Sequence, residues 1–157
     1  MSKATPATQA LAKAGIAFTL HSYVYDPGAE RIGLQAAEAL GEAPARVLKT
    51  LMTKVDGKPV CVVMPSDREV AMKALATALH GKAAEMMAPA EAERLTGYKV
   101  GGISPFGQKR RAPTVMEAVA LAQPYVFING GQRGLLLRLD PAEAQRMLQA
   151  VAAAVAA

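Results

Sequence analysis

The sequence predicts an α/β (α+β) fold, a mixed sheet or small barrel with helices packed outside it. Three observations carry this. Strand-like and helix-like segments interleave along the chain, which favours a layered arrangement. The strands also come in hairpins, at Asp56-Gly57 and around Gly130-Gly131-Gln132-Arg133-Gly134, so the sheet is not purely parallel. The chain has 157 residues, 52% of them hydrophobic, enough for one core and a single domain over 1–157.

Thr5-Pro6 opens a helix, with a capping hydroxyl followed by proline at the first helical position, and Gly15 stops it. Ile16 to Val24 alternates loosely and is rich in β-formers, which predicts a strand. Asp26-Pro27-Gly28 signals a turn, a short helix follows from Gly33 to Leu40, and Pro44 opens another helical turn. Val47 to Val55 and Pro59 to Met64 are predicted as the two arms of a hairpin about Asp56-Gly57. Ser66-Asp67 is expected to cap a helix running through Leu79. Ala83 to Met87 reads as a strand, and Ala88-Pro89 starts a helix ending at Thr96-Gly97.

Tyr98 to Arg111 holds three glycines, one proline and four cations, so it is a loop with special backbone geometry. Pro113 to Val119, Tyr125 to Asn129 and Leu135 to Leu139 are predicted strands. Asp140-Pro141 caps a final amphipathic helix, expected to fray into the alanine-rich tail from Ala152 to Ala157.

Composition narrows the function. A net charge of +5 and a pI near 9.5 favour a polyanionic partner. Aromatics make up only 4%, which argues against a broad base-stacking platform. The one cysteine, Cys61, sits mid-strand among valines and reads as a buried, inert thiol. His21 and His80 lack metal spacing and read as surface or packing residues; no metal and no cofactor is expected. The N-terminus lacks a signal-peptide pattern and no window is apolar enough to span a bilayer, so a cytoplasmic protein is expected. No nucleophile-elbow, P-loop or dinucleotide fingerprint is present.

Two glycine-rich loops and some well-placed cations remain. Backbone N–H groups in such loops can converge on an anion or a developing oxyanion; a plain tight connection is the other reading of Gly101 to Gly107. Lys109-Arg110-Arg111 is either a solvated charge run or, directly after a glycine loop, a phosphate-facing one. Lys49 lies in an apolar strand, sharing a face with Val47 and Leu51, and either snorkels outward or lines a cleft.

Val47-Leu48-Lys49-Thr50-Leu51, the stretch Thr96-Gly97-Tyr98-Lys99-Val100-Gly101-Gly102-Ile103-Ser104-Pro105-Phe106-Gly107-Gln108-Lys109, and Asn129-Gly130-Gly131-Gln132-Arg133-Gly134-Leu135 together resemble the YbaK family. That family comprises Cys-tRNA(Pro) deacylases related to the editing domain inserted in bacterial prolyl-tRNA synthetases. The resemblance covers nearly the whole chain and implies a barrel-like mixed sheet surrounded by helices. It implies a trans-editing hydrolase of mischarged aminoacyl-tRNA, with Cys-tRNA(Pro) as substrate, tRNA as partner and prolyl-tRNA synthetase as a further one. Its essential lysine falls on Lys49, and its glycine-to-proline loop on Gly101, Gly102, Ile103, Ser104 and Pro105.

The family's second glycine turn, bordering the pocket, falls on Gly130, Gly131 and Gly134, beside Asn129, while Thr50 adjoins the lysine. Backbone N–H groups of Gly101 to Ser104 or Gly130 to Gly131 would face the carbonyl oxygen, and Lys109, Arg110 and Arg111 the RNA. The family mechanism is substrate-assisted, the substrate's own thiol attacking its ester carbonyl. Asn129 stands where well-known members carry serine, and Leu136 where some carry an acid, which leaves Ala- or Ser-tRNA open as the substrate. A non-catalytic tRNA- or nucleotide-binding module is the alternative from another class.

Overall fold

The computed structural model describes residues 4–28 and 34–157. Its centre is the hairpin of β2 (Leu48–Val55) and β3 (Lys58–Pro65). Asp56 and Gly57 turn it with φ of 50° and 80°, the paired positive values that a type I′ turn requires. The strands run in full register, from Leu48 opposite Pro65 to Val55 opposite Lys58. β4 (Ala84–Met86) lies antiparallel against the Thr53–Val55 end of β2. On the other side, β5 (Thr114–Glu117) and β8 (Val151–Ala153) add in parallel, giving a mixed sheet of order β4-β2-β3-β5-β8.

A second, antiparallel sheet has the order β1-β7-β6, from β1 (Thr19–Ser22), β7 (Leu135–Leu139) and β6 (Val126–Asn129). The two sheets meet at a parallel bridge between Val47 and Phe127, where Phe127 N–H donates to Arg46 O at 2.7 Å. The barrel-like sheet expected from the sequence is therefore resolved into two sheets, and among the described residues neither closes on itself.

Local chemistry sets the helices. α1 (Pro6–Lys13), α4 (Pro89–Thr96) and α6 (Pro141–Leu148) each begin with proline, whose missing N–H costs nothing in a first turn. The Thr5 side chain caps α1 reciprocally with Thr8, and Asp140 accepts from Ala142 N–H at the start of α6. α2 (Gln35–Leu40) ends at Gly41, φ 66°; Gly33, the expected start, lies outside the described residues. A short α5 (Ala118–Leu121) follows β5, where the sequence predicts continuing strand.

Two other expectations change. The helix expected from Ser66 starts only at α3 (Met72–Ala78), because Ala71 N–H is taken by Val155 O at 2.7 Å and Val70 bridges Ala156. The tail expected to fray is ordered as β8 and beyond. The buried Glu117 carboxylate accepts from Val155 N–H at 2.8 Å and Ala156 N–H at 3.1 Å on one oxygen, and from Val119 N–H at 2.8 Å on the other.

β2 stands between the apolar clusters. Leu48 and Met52 join the one containing Phe106, Ile128 and Leu137. Val55 joins Val62, Met64 and Leu75, and Val47 joins Phe127 and Leu136. Each fully buried side chain of this kind contributes roughly 1.5–3 kcal/mol by leaving water.

Candidate active site

The site follows from how β2 shares one of its edges. Along β3 it is paired throughout, but its other edge is divided. Arg46 O accepts from β6, Met52 O accepts from Met87 N–H at 3.1 Å, and β4 pairs from Thr53 onward. In a strand, residues two apart turn their N–H and C=O to the same side. Thr50 therefore directs both groups into the gap between β6 and β4. Its Oγ1 is also buried, with no hydrogen-bond partner. A buried polar atom without a partner is uncommon and costly, and marks a place where another group can bind.

A cavity of about 410 Å³ opens over this gap. Its walls are largely apolar, with Val47, Leu48, Met86, Met87, Ile103 and Leu136 among them. Lys49, Thr50, Ser66, Gly101 and Asn129 bring polar groups, and Tyr23 and Tyr25 flank them. Burial lowers the pKa of Lys49 from the ordinary lysine value, while the charges of Glu69 and Asp67 oppose the drop. Among the described residues its ammonium has no ion pair or hydrogen bond, so it is a half-buried charge available to a ligand.

The glycine loop is held against the β6–β7 turn and the extension of β1. Gly101 has φ 90°, and a Cβ there would lie 2.6 Å from Tyr25 Oη. Gly102 is closer still to backbone: its Cβ would lie 2.8 Å from Arg133 N. Asn129 Nδ2 donates to Gly101 O at 3.3 Å while its Oδ1 accepts from Gly131 N–H at 2.7 Å. Arg133 Nε donates to Val100 O at 2.9 Å, and its guanidinium sits over the Tyr25 ring. The loop is thus gripped from two directions, a prerequisite for backbone donors that must not reorganise during a reaction.

Of the residues singled out in the sequence, Lys49, Thr50, Gly101, Ile103 and Asn129 line this cavity. Gly102, Ser104, Pro105, Gly130 and Gly131 do not; they shape the loops behind it. Ser104 is fully buried, and its hydroxyl accepts from Phe106 N–H at 3.2 Å, closing a local turn. Gly130 O accepts from the Thr5 hydroxyl, and Gly131 lies against Tyr98 and Thr5.

Lys109 and Arg110 are fixed by backbone bonds to Thr96 O and Leu95 O at the end of α4, and Arg110 and Arg111 line a different cleft. Tyr23, Tyr25, Met86 and Met87 carry no motif in the sequence, and Ser66 reads there only as a helix cap. Tyr23 falls inside the predicted strand and Tyr25 just past its end, and that alternation is the signal the two offer.

Cys61 is buried, and burial pushes its thiol up to about 12, despite the Gln108 amide 3.8 Å from its sulfur. It is inert at neutral pH. His21 lies edge-on to Phe127 with Nε2 2.8 Å from Thr19 Oγ1, away from the cavity. Among the described residues no three His, Cys, Asp or Glu side chains converge to hold a metal. No described helix is long and apolar enough to cross a membrane.

A largely apolar cavity with one unpaired cation, an open strand edge and a braced glycine loop has the features of a pocket for a small, partly anionic group. Residues 27–147 match the aminoacyl-tRNA editing domain, and the chain belongs to that family. It is 38% identical over 107 residues to the "Putative Cys-tRNA(Pro)/Cys-tRNA(Cys) deacylase EbsC" of Enterococcus faecalis, covering 67% of this chain and 65% of that protein. The proline–tRNA ligase of Geobacillus thermodenitrificans is 28% identical over 96 residues, 61% of this chain and 16% of that enzyme. The chain thus spans about two thirds of the first relative and a small part of the second. The fold matches a crystal structure described as "a putative trans-editing enzyme for prolyl tRNA synthetase", with a TM-score of 0.83 at 22% identity over 100% of this chain and 98% of that one.

Proposed function

We propose that this protein is a trans-editing deacylase that cleaves the ester of a mischarged aminoacyl-tRNA, Cys-tRNA(Pro), in the cavity at the divided edge of β2. The observation that carries the proposal is the unpaired Lys49 ammonium beside the open Thr50 backbone and the braced Gly101 loop. An aminoacyl ester is already activated, so orientation and charge stabilisation supply most of what its cleavage needs. Lys49 holds the ribose–phosphate end of the tRNA as a point charge. The Thr50 N–H faces the carbonyl oxygen, whereas the N–H groups of Gly102, Gly130 and Gly131, expected there from the sequence, already donate to Lys99 O, Leu135 O and Asn129 Oδ1.

The substrate's own thiolate attacks that carbonyl carbon. The carbon–oxygen bond to the ribose breaks, the ribose oxygen takes up a proton, and the amino acid leaves as a cyclic thioester. Membership of the editing-domain family and the similarity to EbsC support this reading. The relation to proline–tRNA ligases supports prolyl-tRNA synthetase as a further partner, in the cytoplasm where tRNA is charged.

A specific feature favours a second substrate. Leu136 adds to an apolar lining, which suits an unfunctionalised side chain such as that of Ala-tRNA better than a hydroxyl. A deacylation panel of Cys-, Ala- and Ser-tRNA(Pro) separates these. Lys49→Ala should keep the fold and lose about 10²-fold or more in rate, the scale of removing one stabilising group from such a site. A folded Lys49→Ala protein with near-normal deacylation would remove Lys49 from the site.

A further inference from the structure

α4 separates the cavity from a second, larger cleft of about 840 Å³. Pro89 and Ala92 face the cavity, while Glu91, Arg94 and Leu95 face the cleft. Ala92 lies three positions beyond Pro89, and Arg94 and Leu95 lie three and four beyond Glu91, so each set forms one stripe of the helix. Met52 contributes to the walls of both.

The cleft is rich in positive charge, with the Lys58 ammonium partly offset by the Asp56 carboxylate. Lys58, Arg94, Arg110 and Arg111 line it. Among the described residues, the side chains of Lys58, Arg94 and Arg110 form no hydrogen bond or ion pair. Arg111 reaches only neutral acceptors, Met147 O at 3.3 Å and Gln149 Oε1 at 3.2 Å. The two acids of the cleft are already engaged. Glu91 pairs with Lys54 at 2.7 Å. Asp56 accepts from Lys82 and Ala83 N–H at 3.0–3.1 Å, and those bonds hold its carboxyl below the usual range. No Tyr or Phe lines the cleft, and its one aromatic ring is the small imidazole of His80, so it offers no broad face for unstacked bases.

We propose that this cleft is a second RNA site, which tracks phosphates along a double-helical stretch of the tRNA while the acylated end enters the cavity across α4. Several cations with no more than one imidazole beside them suit backbone contact with duplex RNA, where phosphates fix position and bases are not read. The proposal rests on the tRNA reading above for its ligand but uses residues outside the cavity. It also places the Lys109-Arg110-Arg111 run: Arg110 and Arg111 face the cleft, and Lys109 anchors the loop through its backbone.

The test is the binding of uncharged tRNA as a function of salt, alongside deacylation kinetics. The variant is Lys58→Gln/Arg94→Gln/Arg110→Gln, at three positions outside the core clusters. Its log–log salt slope should fall by roughly two to three, and its affinity by about tenfold or more near 0.1 M salt. The loss should fall on KM rather than kcat, and Arg94→Lys/Arg110→Lys should retain most of the slope. A parallel Lys49→Ala protein, which gives up the single contact assigned to it at the terminal ribose–phosphate, should lower the slope by no more than about one.

If the neutralised protein is folded by circular dichroism and binds with the parent's slope and affinity, the second site is refuted, even with deacylation intact. If no acylated tRNA is cleaved yet the slope still falls, the RNA site stands and the deacylase reading fails. Should the triple variant not fold, the single Arg94→Gln and Arg110→Gln proteins carry the same measurement, each with a slope change of about one.

Discussion

Lys49 keeps its charge in surroundings that disfavour it. Burial lowers its pKa below the ordinary 10.5, and the partial compensation from Glu69 and Asp67 does not restore it. In the unfolded chain the amine keeps its ordinary value. Between the lowered folded value and 10.5 the unfolded chain therefore binds more protons, and stability rises with pH across that window. Below it, the full cost of holding the ammonium half-buried is present. Lys49→Met should accordingly melt higher than the parent at pH 7 while losing deacylation, and its advantage should shrink as pH climbs toward 10.5. Thermal unfolding of both proteins at a series of pH values checks this. A Lys49→Met protein that melts lower at pH 7 would mean that its ammonium stabilises the fold.

At this scale the sequence exposed part of the site. A cation in an apolar strand and a glycine-dense loop are visible locally, and both reach the cavity. Ser104 enters with that loop, through the family resemblance and for its backbone N–H, and its buried hydroxyl accepts from Phe106 N–H to close a turn. Local motifs do not say which way a loop side chain faces. Tyr23 and Tyr25 carried no motif at all; they arrive through the pairing of β1 with β7, which is set by contacts over a hundred residues apart in the chain.

Among the elements, those with local start and stop chemistry were legible: the hairpin at Asp56-Gly57 and the three proline-initiated helices. β8 was not, because an alanine-rich tail has neither periodicity nor β-propensity. Its strand state comes from outside, through the parallel ladder with β5 and the Glu117 carboxylate gathering three backbone N–H groups. Glu117→Gln keeps the shape but turns an amide donor toward at least one of those N–H groups. We expect it to cost about 1–3 kcal/mol, the scale of leaving a buried donor unsatisfied. The loss should be concentrated in faster hydrogen exchange at 151–157 and near Val70, with the hairpin protected as before. Uniform loss of protection across the hairpin as well would show the tail to be integral to the main sheet rather than clamped onto it.

For the molecule as a whole, the arrangement of two sheets touching at one bridge leaves a cavity where a closed barrel would have a strand, and α4 sets a basic cleft beside it. The described residues lining the cavity bring hydroxyls, those of Thr50 and Ser66 among them, but no His, Asp or Glu to activate one. Cys61 is buried with its thiol pushed up to about 12, Ser104 is sealed in its turn, and His21 faces Phe127. If the protein supplies position and charge only, the nucleophile must come with the substrate or from water.

A thiol and a hydroxyl differ by one atom, and an apolar wall separates such groups weakly. Their reactivity differs far more, since a thiol with a pKa of about 8.5 is partly ionised at neutral pH and an alcohol is not. Cys-tRNA(Pro) should therefore be deacylated at least about 10²-fold faster than Ser-tRNA(Pro) in single-turnover reactions, with similar half-saturation by enzyme. An added thiol nucleophile should capture the cyclic thioester, by opening its ring, from the first substrate alone. Equal rates and no trapped thioester would instead assign the attack to water held at the open edge of Thr50, and editing would then be governed by the fit of the amino acid against Leu136 and Ile103.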